Sequence, residues 1–490
     1  MTVNYTHSDD LINASRNIHG LDETLPFGIQ LVLKGRQHSL QCQEIYRVLP
    51  GRRITLRAVL DGVSVVVKLY LGASQKLYWQ RELSGVNILA ASVLQTPRLL
   101  HYESDLVSGL SYLVFEYITP LASDRVAELE QKVFELSSLL AQMHNQGIVQ
   151  NDLHLNNFLF GEKGIYLIDG DAIKKFVVLS PELALENMAV LLAQLNCAEA
   201  VTSQRCLDTY LPLRDKSVPV NPFAFHQRVE KLRNKRLRSL LTKAQRNCSA
   251  YYSTSSMKHF FVCTRKSFNT DMQSILADLD GWVERGECLK DGNTCTVSRV
   301  CINDRSYVIK RYNIKSVWHG LGRTFRTTRA RVSWLNSQIL GFYGIPTAPV
   351  LALFEERKGP LRGRAFLIME NLDGALLSQQ KQPLSQEIRL AAFSLFRKLF
   401  GAGLVHSDTK SSNFIVLNDA YIPVEAELAV IDLDGMKKFA KDSSITSDRW
   451  FRKAFEKDVQ RFLKNFDTDP ELAAGLSINA LSVSSTDCSV

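Results

Sequence analysis

The sequence is poor in the features of secreted and zinc-binding proteins. Its nine cysteines are scattered along 490 residues, and no two of them show CxxC spacing. The trio Cys288, Cys295 and Cys301 has no histidine nearby at the spacing of a zinc ligand set, so we expect no zinc site. An odd, dispersed set of cysteines is typical of a reducing compartment.

Long apolar runs are missing as well. The first ten residues lack a charged region followed by an apolar one, so no signal peptide is recognisable. The most apolar stretch, 183–201, is interrupted by four polar residues and predicts a core helix rather than a membrane span. We therefore expect a cytoplasmic protein.

What is present is an ordinary globular composition with an excess of positive charge. Hydrophobic residues make up 45% and charged residues 22% of the chain, as in soluble globular proteins. A chain of 490 residues is too long for one hydrophobic core, and its length suggests about two to four domains. The net charge of +9 favours an anionic partner such as a nucleotide, a phospholipid or a phosphorylated sugar.

An ordered series of features occurs twice, at a spacing of roughly 250 residues. The series is an apolar strand ending in lysine, a second strand ending in glutamate, a helical pattern, an Asp-x4-Asn element and a strand ending in Asp-x-Asp. Its polar residues are Lys68, Glu116, Asp152, Asn157, Asp169 and Asp171 in the first half, and Lys310, Glu370, Asp408, Asn413, Asp432 and Asp434 in the second. Two matches in the same order indicate an internal duplication.

The duplication predicts two α+β domains with other segments around them. We expect an N-terminal extension (1–40), a first domain (41–215), a basic connecting segment (216–280), a second domain (281–470) and a flexible tail (471–490). The connecting segment has a basic helical pattern from Arg228 to Arg246 and a β-like aromatic run around Tyr251 and Phe260, and it could pack on either domain. The serine-rich tail after Ser482 is expected to be disordered.

The repeated residues suit phosphoryl transfer, which needs positioning and charge neutralisation more than covalent chemistry. A lysine at a strand end usually only faces water, but here Lys68 and Lys310 would neutralise nucleotide phosphates. The first aspartate of each Asp-x4-Asn element would orient an acceptor hydroxyl and accept its proton. His154 and Lys410, two residues after these aspartates, would place a positive charge on the moving group.

The remaining oxygen ligands suit a metal ion. Asn157 and Asn413 would reach Mg²⁺, although an Asp-x4-Asn pair taken alone is more often a turn or a helix cap. Asp169 and Asp432, each after a buried-looking strand, would bind Mg²⁺ that bridges the phosphates. The second aspartate of each Asp-x-Asp supplies either a further metal ligand or a turn cap, and the sequence favours neither.

The Asp-x-(His/Lys)-x-x-Asn element with a following Ile-Asp-x-Asp resembles the protein-kinase-like superfamily. Within it, the chain is similar to the bacterial lipopolysaccharide core kinases, the heptose and 3-deoxy-octulosonic acid kinases, over roughly 40–215 and 280–465. The runs 307–315 and 344–347 look similar to that family in particular. The resemblance implies two tandem bilobal domains, each with a β-rich N-lobe and a helical C-lobe. It also implies ATP- and Mg²⁺-dependent transfer of phosphate to a sugar hydroxyl of the inner core.

Several positions depart from that pattern. Each phosphate loop offers a single glycine, Gly51 or Gly292, where backbone N–H groups would need close approach. Glu82, fourteen residues after the first lysine, would hold it by an ion pair, but the second half has no acidic residue between Arg305 and Phe354. Either domain could therefore be a regulatory or acceptor-binding pseudokinase. We assign nucleotide binding to Lys68, Glu82, Glu116, Gly292, Lys310 and Glu370.

Basic residues form two helix-like groups. The first is Arg323, Arg326, Arg329 and Arg331, and the second is the pattern from Arg228 to Arg246. Each group is either a solvated face or a surface for phosphorylated glycolipid or anionic membrane, where a basic residue contributes about 1 kcal/mol. Nucleic acid is disfavoured because the aromatic residues of a stacking platform are missing.

These features favour a cytoplasmic kinase of lipopolysaccharide core sugars, in peripheral contact with the inner membrane. One alternative is a pseudokinase-type, nucleotide-binding scaffold of envelope biogenesis. Another keeps the enzyme but makes protein serine or threonine the acceptor.

Overall fold

The computed structural model describes residues 4–5, 8–16, 25–33, 36–105, 109–121, 126–195, 200–216, 218–313, 327–359, 361–417, 426–439, 445–466 and 469–482. The chain divides into two compact units. Unit 1 comprises Met1–Gln194 and Ala200–Arg233, and unit 2 comprises Leu195–Glu199 and Asn234–Val490. The division at 233/234 falls within the segment that the sequence predicts to connect two domains.

Unit 1 begins with a seven-stranded sheet and two helices. The helices are α1 (Ser8–Arg16) and α2 (Gln75–Ala90). The strands are β1 (Asn4–Tyr5), β2 (Phe27–Leu33), β3 (Arg36–Leu49), β4 (Arg53–Leu60), β5 (Val63–Tyr70), β6 (Leu99–Asp105) and β7 (Leu110–Glu116), in the order β1-β2-β3-β4-β5-β7-β6. In β4 every second side chain is buried, as expected where one face of a strand covers a core.

The second part of unit 1 is mostly helical. It contains α3 (Val126–Asn145), β8 (Ile148–Gln150), β9 (Phe158–Gly161), β10 (Gly164–Leu167), β11 (Ile173–Lys175), α4 (Pro181–Leu192), α5 (Ala200–Tyr210) and the first residues of α6 (Pro222–Lys243). Strand β9 pairs with β10, and β8 pairs with β11. The core helix predicted over 183–201 corresponds to α4, which ends at Leu192.

Unit 2 repeats this arrangement, and its sheet also has seven strands. It contains β12 (Tyr251–Ser255), β13 (His259–Thr264), α7 (Thr270–Ala277), α8 (Leu279–Arg285), β14 (Glu287–Gly292), β15 (Cys295–Ile302), β16 (Arg305–Tyr312), α9 (Arg329–Phe342), β17 (Val350–Lys358) and β18 (Leu361–Glu370). The strand order is β12-β13-β17-β18-β16-β15-β14.

A helical part follows in unit 2 as well. It contains β19 (Gly374–Leu376), α10 (Gln386–Gly401), β20 (Leu404–Val405), β21 (Phe414–Leu417), β22 (Glu427–Val430), β23 (Lys437–Lys438), α11 (Ile445–Leu463), α12 (Pro470–Gly475) and α13 (Ile478–Ser482). Strand β21 pairs with β22, and β20 pairs with β23. Among the residues described in either unit, no helix is both long and apolar enough to cross a membrane.

Five strands have the same order in both sheets. The orders β3-β4-β5-β7-β6 and β14-β15-β16-β18-β17 are equivalent, and in each unit a helix follows the third strand in sequence. Lys68 lies on the third strand of unit 1 and Lys310 on the third strand of unit 2. The extra strands are added at opposite edges of the two sheets. The repeated series of the sequence therefore corresponds to repeated topology.

The segments predicted to lie outside the domains are largely part of the units. Strand β2 pairs with β3 along its whole length, although it falls within the predicted extension 1–40. Strands β12 and β13 extend the sheet of unit 2, although they fall within the predicted connecting segment. In the predicted tail, Leu472 and Leu476 are fully buried in the core of unit 2. These short elements are stable because their apolar side chains pack against a neighbouring element.

Candidate active sites

In unit 1, Lys68 faces a cluster of oxygen atoms rather than water. Its side chain is buried, and Nζ lies 2.5 Å from Glu82 Oε1 and 3.4 Å from Asp169 Oδ1. Nζ also donates to the carbonyl oxygen of Ile168 at 3.1 Å. The structure thus brings together three residues that the sequence places in the nucleotide and metal sites, and the ion pair expected between Lys68 and Glu82 is present.

Glycines allow helix α2 to reach this cluster. A Cβ atom at Gly85 on α2, or at Gly170 directly after Asp169, would overlap backbone atoms of the other segment. The close approach lets Gly170 N donate to Glu82 Oε1 at 3.0 Å. Glu82 is fully buried, and burial raises its pKa.

Asp169 remains ionised in this environment. Burial alone would raise the pKa of Asp169, but the Lys68 ammonium and the Arg53 guanidinium outweigh that effect and lower it to about 2. A carboxylate that is ionised at neutral pH is the form that a metal ion requires. Asp171, the second aspartate of the motif, instead pairs with Arg81 Nε at 3.2 Å.

The Asp-x4-Asn element of unit 1 forms an open loop. The Asp152 side chain is 78% exposed, and one of its oxygens lies 3.0 Å from His154 Nε2. Asn157 Nδ2 donates to the backbone oxygen of Asp152 at 2.9 Å. Gln194, which the sequence shows only as an interruption of an apolar stretch, donates to Leu153 O at 2.5 Å and so anchors the loop.

Gln150 fixes the start of that loop. It is fully buried, and its Nε2 donates to the backbone oxygen of Asp169 at 2.9 Å. Its own backbone oxygen accepts from Asn187 Nδ2 at 2.8 Å. Gln150 therefore links the start of the loop to the backbone at Asp169.

In unit 2, Lys310 is held by two aspartates. Nζ lies 2.6 Å from Asp432 Oδ1 and 3.2 Å from Asp434 Oδ1, and the lysine is buried. Burial alone would lower the pKa of Lys310, but the neighbouring Tyr312, Asp434 and Asp432 raise it. Burial would raise the pKa of Asp432, but the Lys310 and Lys290 ammonium groups lower it.

Unit 2 has no counterpart of Glu82, and Asp434 pairs with the lysine instead. Its Oδ1 accepts from Tyr312 Oη and from Ser333 Oγ, each at 2.6 Å, in addition to Lys310. Its Oδ2 accepts from Arg329 Nη2 at 2.5 Å. The sequence analysis expected this aspartate to be either a second metal ligand or a turn cap. It did not predict that the aspartate pairs with the lysine. Tyr312 and Ser333 were missed, although a tyrosine stands two residues after the lysine in both halves.

Two residues of the unit 2 site have left-handed backbone conformations. Asp432 has φ 63° and Ser407 has φ 70°, a region that costs a non-glycine residue about 1 kcal/mol or more. The buried Asp458 holds the second of them, because its carboxylate accepts from Ser407 N at 3.0 Å and from His406 N at 2.6 Å. Burial raises the pKa of Asp458.

Asp408 is more closely surrounded than its counterpart in unit 1. Asn413 Nδ2 donates to Asp408 Oδ2 at 3.1 Å and to the Asp408 backbone oxygen at 2.8 Å. Lys410 Nζ lies 3.3 Å from Oδ2, and Arg461 Nη1 lies 3.2 Å from Oδ1. Two cations and one amide therefore orient this carboxylate. Nothing in the sequence pattern identifies Arg461, which lies far along the chain.

The other predicted nucleotide-site residues lie elsewhere in the units. Glu116 Oε1 accepts from Arg98 N at 2.9 Å, and Glu370 is exposed at the end of β18. No hydrogen bond or ion pair among the described residues joins either of them to the lysine clusters. Gly292 ends β14 and pairs with Cys295.

The predicted basic face of unit 2 is only partly described. Arg323 and Arg326 lie outside the described residues. Arg329 is engaged with Asp434, and Arg331 Nη2 lies 2.5 Å from the buried Glu355. These two arginines therefore form ion pairs within the unit and do not form the free basic face that was expected of them.

Comparisons with known proteins agree with the geometry of unit 2. Residues 273–473 match the model of the lipopolysaccharide kinase (Kdo/WaaP) family. The resemblance to the lipopolysaccharide core kinases is confirmed over this range. The matched range contains the second lysine, the second Asp-x4-Asn element and the second Asp-x-Asp motif, and it supports a phosphotransferase of the kinase type. No curated protein matches the chain.

Two solved structures are similar to parts of the chain. One is WaaP in complex with acyl carrier protein, with 19% identity and a TM-score of 0.29, covering 43% of this chain and 92% of that one. The other is an aminoglycoside phosphotransferase from Ralstonia eutropha, with 12% identity and a TM-score of 0.31, covering 44% of this chain and 86% of that one.

The kinase-like site of unit 2 offers few protein ligands for a metal ion. Within the described ranges, no group of three or more His, Cys, Asp or Glu side chains could hold a metal. Asp432 supplies an ionised carboxylate, and Asn413 uses its amide NH₂ on Asp408, which leaves its carbonyl oxygen for a cation. Mg²⁺ is commonly held by one or two such side chains together with nucleotide phosphates. The residues present therefore fit Mg²⁺ bound with a nucleotide.

Proposed function

We propose that this protein is an ATP- and Mg²⁺-dependent kinase that transfers the γ-phosphate to a sugar hydroxyl, on the inner core of lipopolysaccharide. The observation that carries the proposal is the arrangement of unit 2, where a buried lysine, an ionised aspartate and a cation-flanked aspartate occur within the range that matches the family. Phosphoryl transfer needs this combination of a phosphate-binding cation, a metal ligand and a hydroxyl-orienting carboxylate.

Five side chains of unit 2 have roles in the proposed reaction. Lys310 neutralises nucleotide phosphates, and Asp432 and Asn413 would hold Mg²⁺, which would offset the negative charge of the phosphates. Asp408 orients the acceptor hydroxyl and takes up its proton. Lys410, 3.3 Å from Asp408, places a positive charge where the phosphoryl group moves.

Unit 1 is proposed to be a second kinase-like domain, so that the chain is a tandem pair. The shared order of five strands and the ion pair of Lys68 with Glu82 support this. Asp152, His154, Asn157 and Asp169 would then have the roles of Asp408, Lys410, Asn413 and Asp432.

A specific observation favours unit 2 as the catalytic domain and unit 1 as a nucleotide-binding regulator. The Asp152 carboxylate is 78% exposed, with one ring nitrogen beside it, whereas Asp408 is 42% exposed and flanked by two permanent cations. A preorganised carboxylate catalyses better than a solvated one, because less reorganisation is needed during the reaction. This keeps the pseudokinase alternative open for unit 1 alone.

Peripheral contact with the cytoplasmic face of the inner membrane is also part of the proposal. Unit 2 contains a cavity of about 800 Å³ on its sheet, and most of the residues that line it are basic: Lys258, Arg311, Arg357, Lys358 and Arg364. Arg311 and Arg364 are paired with Asp280 and Glu356, so Lys258 and Lys358 are the side chains that would attract the anionic headgroups of a bilayer surface.

The test compares Asp408→Asn with Asp152→Asn, since each change keeps the side-chain shape but removes the proton acceptor. We expect the first to slow transfer from γ-labelled ATP to core oligosaccharide by at least about 10²-fold. The second should change the rate by less than about tenfold if unit 1 is a regulator. Asp208→Asn, on an exposed face of α5, is the control. Unchanged labelling in both variants would rule out the enzyme, and labelling of protein instead of sugar would change the acceptor class.

A further inference from the structure

Helix α11 and the residue that follows it, Lys464, carry a stripe of basic and aromatic side chains on their exposed face. The stripe consists of Trp450, Lys453, Lys457, Arg461 and Lys464. At 100° per residue, these five positions fall within a sector of roughly 80°. The acidic residues Asp448 and Glu456 of the same helix are outside this sector.

The side chains of the stripe are available to a ligand. Trp450 is 65% exposed, and the three lysines are exposed and form no ion pair with any residue that the structure describes. The opposite face of α11 packs into the core of unit 2 through Phe451, Phe455 and Phe462. The helix is therefore fixed to unit 2 by one face and presents the stripe with the other.

Near its C-terminal end, the stripe contacts the carboxylate of Asp408, the proton acceptor proposed above. Arg461 Nη1 lies 3.2 Å from Asp408 Oδ1 and 2.9 Å from the backbone oxygen of Ser407. From Arg461 the stripe extends toward the N-terminus of α11 and reaches Trp450 after about 16 Å. A molecule that places a hydroxyl at Asp408 can therefore contact the lysines at the same time.

The equivalent helix of unit 1 has no such stripe. Helix α4 also follows the catalytic loop of its unit, but the charged residues within it are Glu182 and Glu186. A basic face at this position is thus not required by the topology that the two units share.

We propose that the stripe on α11 is the docking surface for the acceptor, and that the acceptor is an extended, phosphate-bearing oligosaccharide. Lys453, Lys457 and Lys464 bind its phosphate groups, and the flat face of Trp450 packs against a sugar ring. This inference rests on the proposed function, since it assumes that the acceptor hydroxyl lies at Asp408. An anionic bilayer is a poorer occupant, because the apolar face that an interfacial helix would insert is buried in the core.

The experiment measures binding without turnover. Isolated core oligosaccharide, freed of its acyl chains, is titrated by calorimetry into the full-length protein in the absence of ATP. We expect Lys453→Glu with Lys457→Glu to raise the Kd by about tenfold or more, because two attractions become repulsions. Trp450→Ala should raise it by about threefold or more. The matched control is Lys231→Glu with Lys235→Glu, an exposed pair at the same spacing on α6.

Removing the phosphates from the oligosaccharide should weaken its binding to the wild-type protein and abolish the effect of the lysine changes. An unaltered Kd in Lys453→Glu/Lys457→Glu overturns the proposal, as does an equal loss in the α6 control. Loss of binding to anionic vesicles without loss of oligosaccharide binding overturns it in favour of a membrane. The proposed function fails separately, through the Asp408→Asn labelling result, whatever the binding data show.

Discussion

The two buried lysines are neutralised by different residues. In unit 1 the partner is Glu82, a residue of helix α2, which also accepts from Gly170 N. In unit 2 the partners are Asp432 and Asp434, which stand two residues apart in the Asp-x-Asp motif. Helix α9 contributes Ser333 and Arg329, which bind Asp434 rather than the lysine. The charge of each lysine is thus balanced although the sequences that achieve it differ.

The substitution Asp434→Asn tests whether Asp434 holds Lys310 in place. The change leaves Lys310 with one carboxylate and disturbs a buried set of charged hydrogen bonds, so we expect a loss of about 2–4 kcal/mol in stability. The KM for ATP should rise by roughly tenfold, because Lys310 is no longer oriented. Thermal unfolding and steady-state kinetics measure the two effects. Asp171→Asn, at the same position of the repeat in unit 1, removes a partly exposed pair with Arg81 and should cost less than about 1 kcal/mol. Equal losses in both variants would contradict the role given to Asp434.

The sequence predicts local partners better than distant ones. The pair of Lys68 with Glu82 could be expected, because a helix after the third strand brings back a residue fourteen positions later. The pair of Lys310 with Asp434 joins residues 124 positions apart and depends on the folding of the whole unit. Asp458 and Arg461 could not be identified for the same reason. Their contacts with Ser407 and Asp408 are visible only once α11 is placed.

At the scale of elements, strongly apolar strands were predictable and edge elements were not. Strands β5 and β16 are apolar runs that end near a lysine, and both lie in the middle of a sheet. By contrast, β2 lies within the predicted N-terminal extension, and most of helix α12 lies within the predicted flexible tail. Such elements gain most of their stability from packing against a neighbour rather than from their own pattern.

The contact between helix α2 and the loop after Asp169 gives a second test. Gly85→Ala would place a Cβ atom against the backbone oxygen of Gly170, so α2 must shift and the Lys68–Glu82 pair must loosen. We expect a destabilisation of about 1–3 kcal/mol in urea unfolding. Gly341→Ala is the matched control, since no atom lies within 4 Å of the new Cβ in helix α9. There the better helix propensity of alanine should leave stability unchanged or raise it by up to about 1 kcal/mol. A Gly85→Ala protein as stable as wild type would show that the close approach is not rigid.

At the scale of the whole molecule, the two units share topology but differ in their buried titratable groups. In unit 1, His144 is buried on α3, with Nδ1 2.8 Å from Tyr210 Oη and Nε2 3.1 Å from Asn187 Oδ1. Asn187 Oδ1 only accepts, so Nε2 carries the proton and Nδ1 accepts from the tyrosine. Burial lowers the pKa of His144 to about 4. In unit 2 the residue at the equivalent position before the Asp-x4-Asn element is Phe400. A phenylalanine side chain does not bind a proton, so unit 2 has no titratable group at this position.

This difference predicts that mild acid weakens unit 1 through a group that unit 2 lacks. Between the ordinary histidine pKa of about 6.5 and the folded value of about 4, the unfolded state binds more protons at His144 than the folded state does. The free energy of unfolding of unit 1 should therefore fall by about 2 kcal/mol from pH 7.5 to pH 5 and by about 1 kcal/mol more down to pH 4, with little further loss from this group at lower pH. Hydrogen exchange of peptides from α3, α4 and α5, corrected for the intrinsic effect of pH, measures the loss. His144→Gln should remove most of this pH response in unit 1 and leave that of α10 in unit 2 unchanged. If the variant and the wild type respond alike, another group destabilises unit 1 in acid, and the buried histidine is only a packing residue.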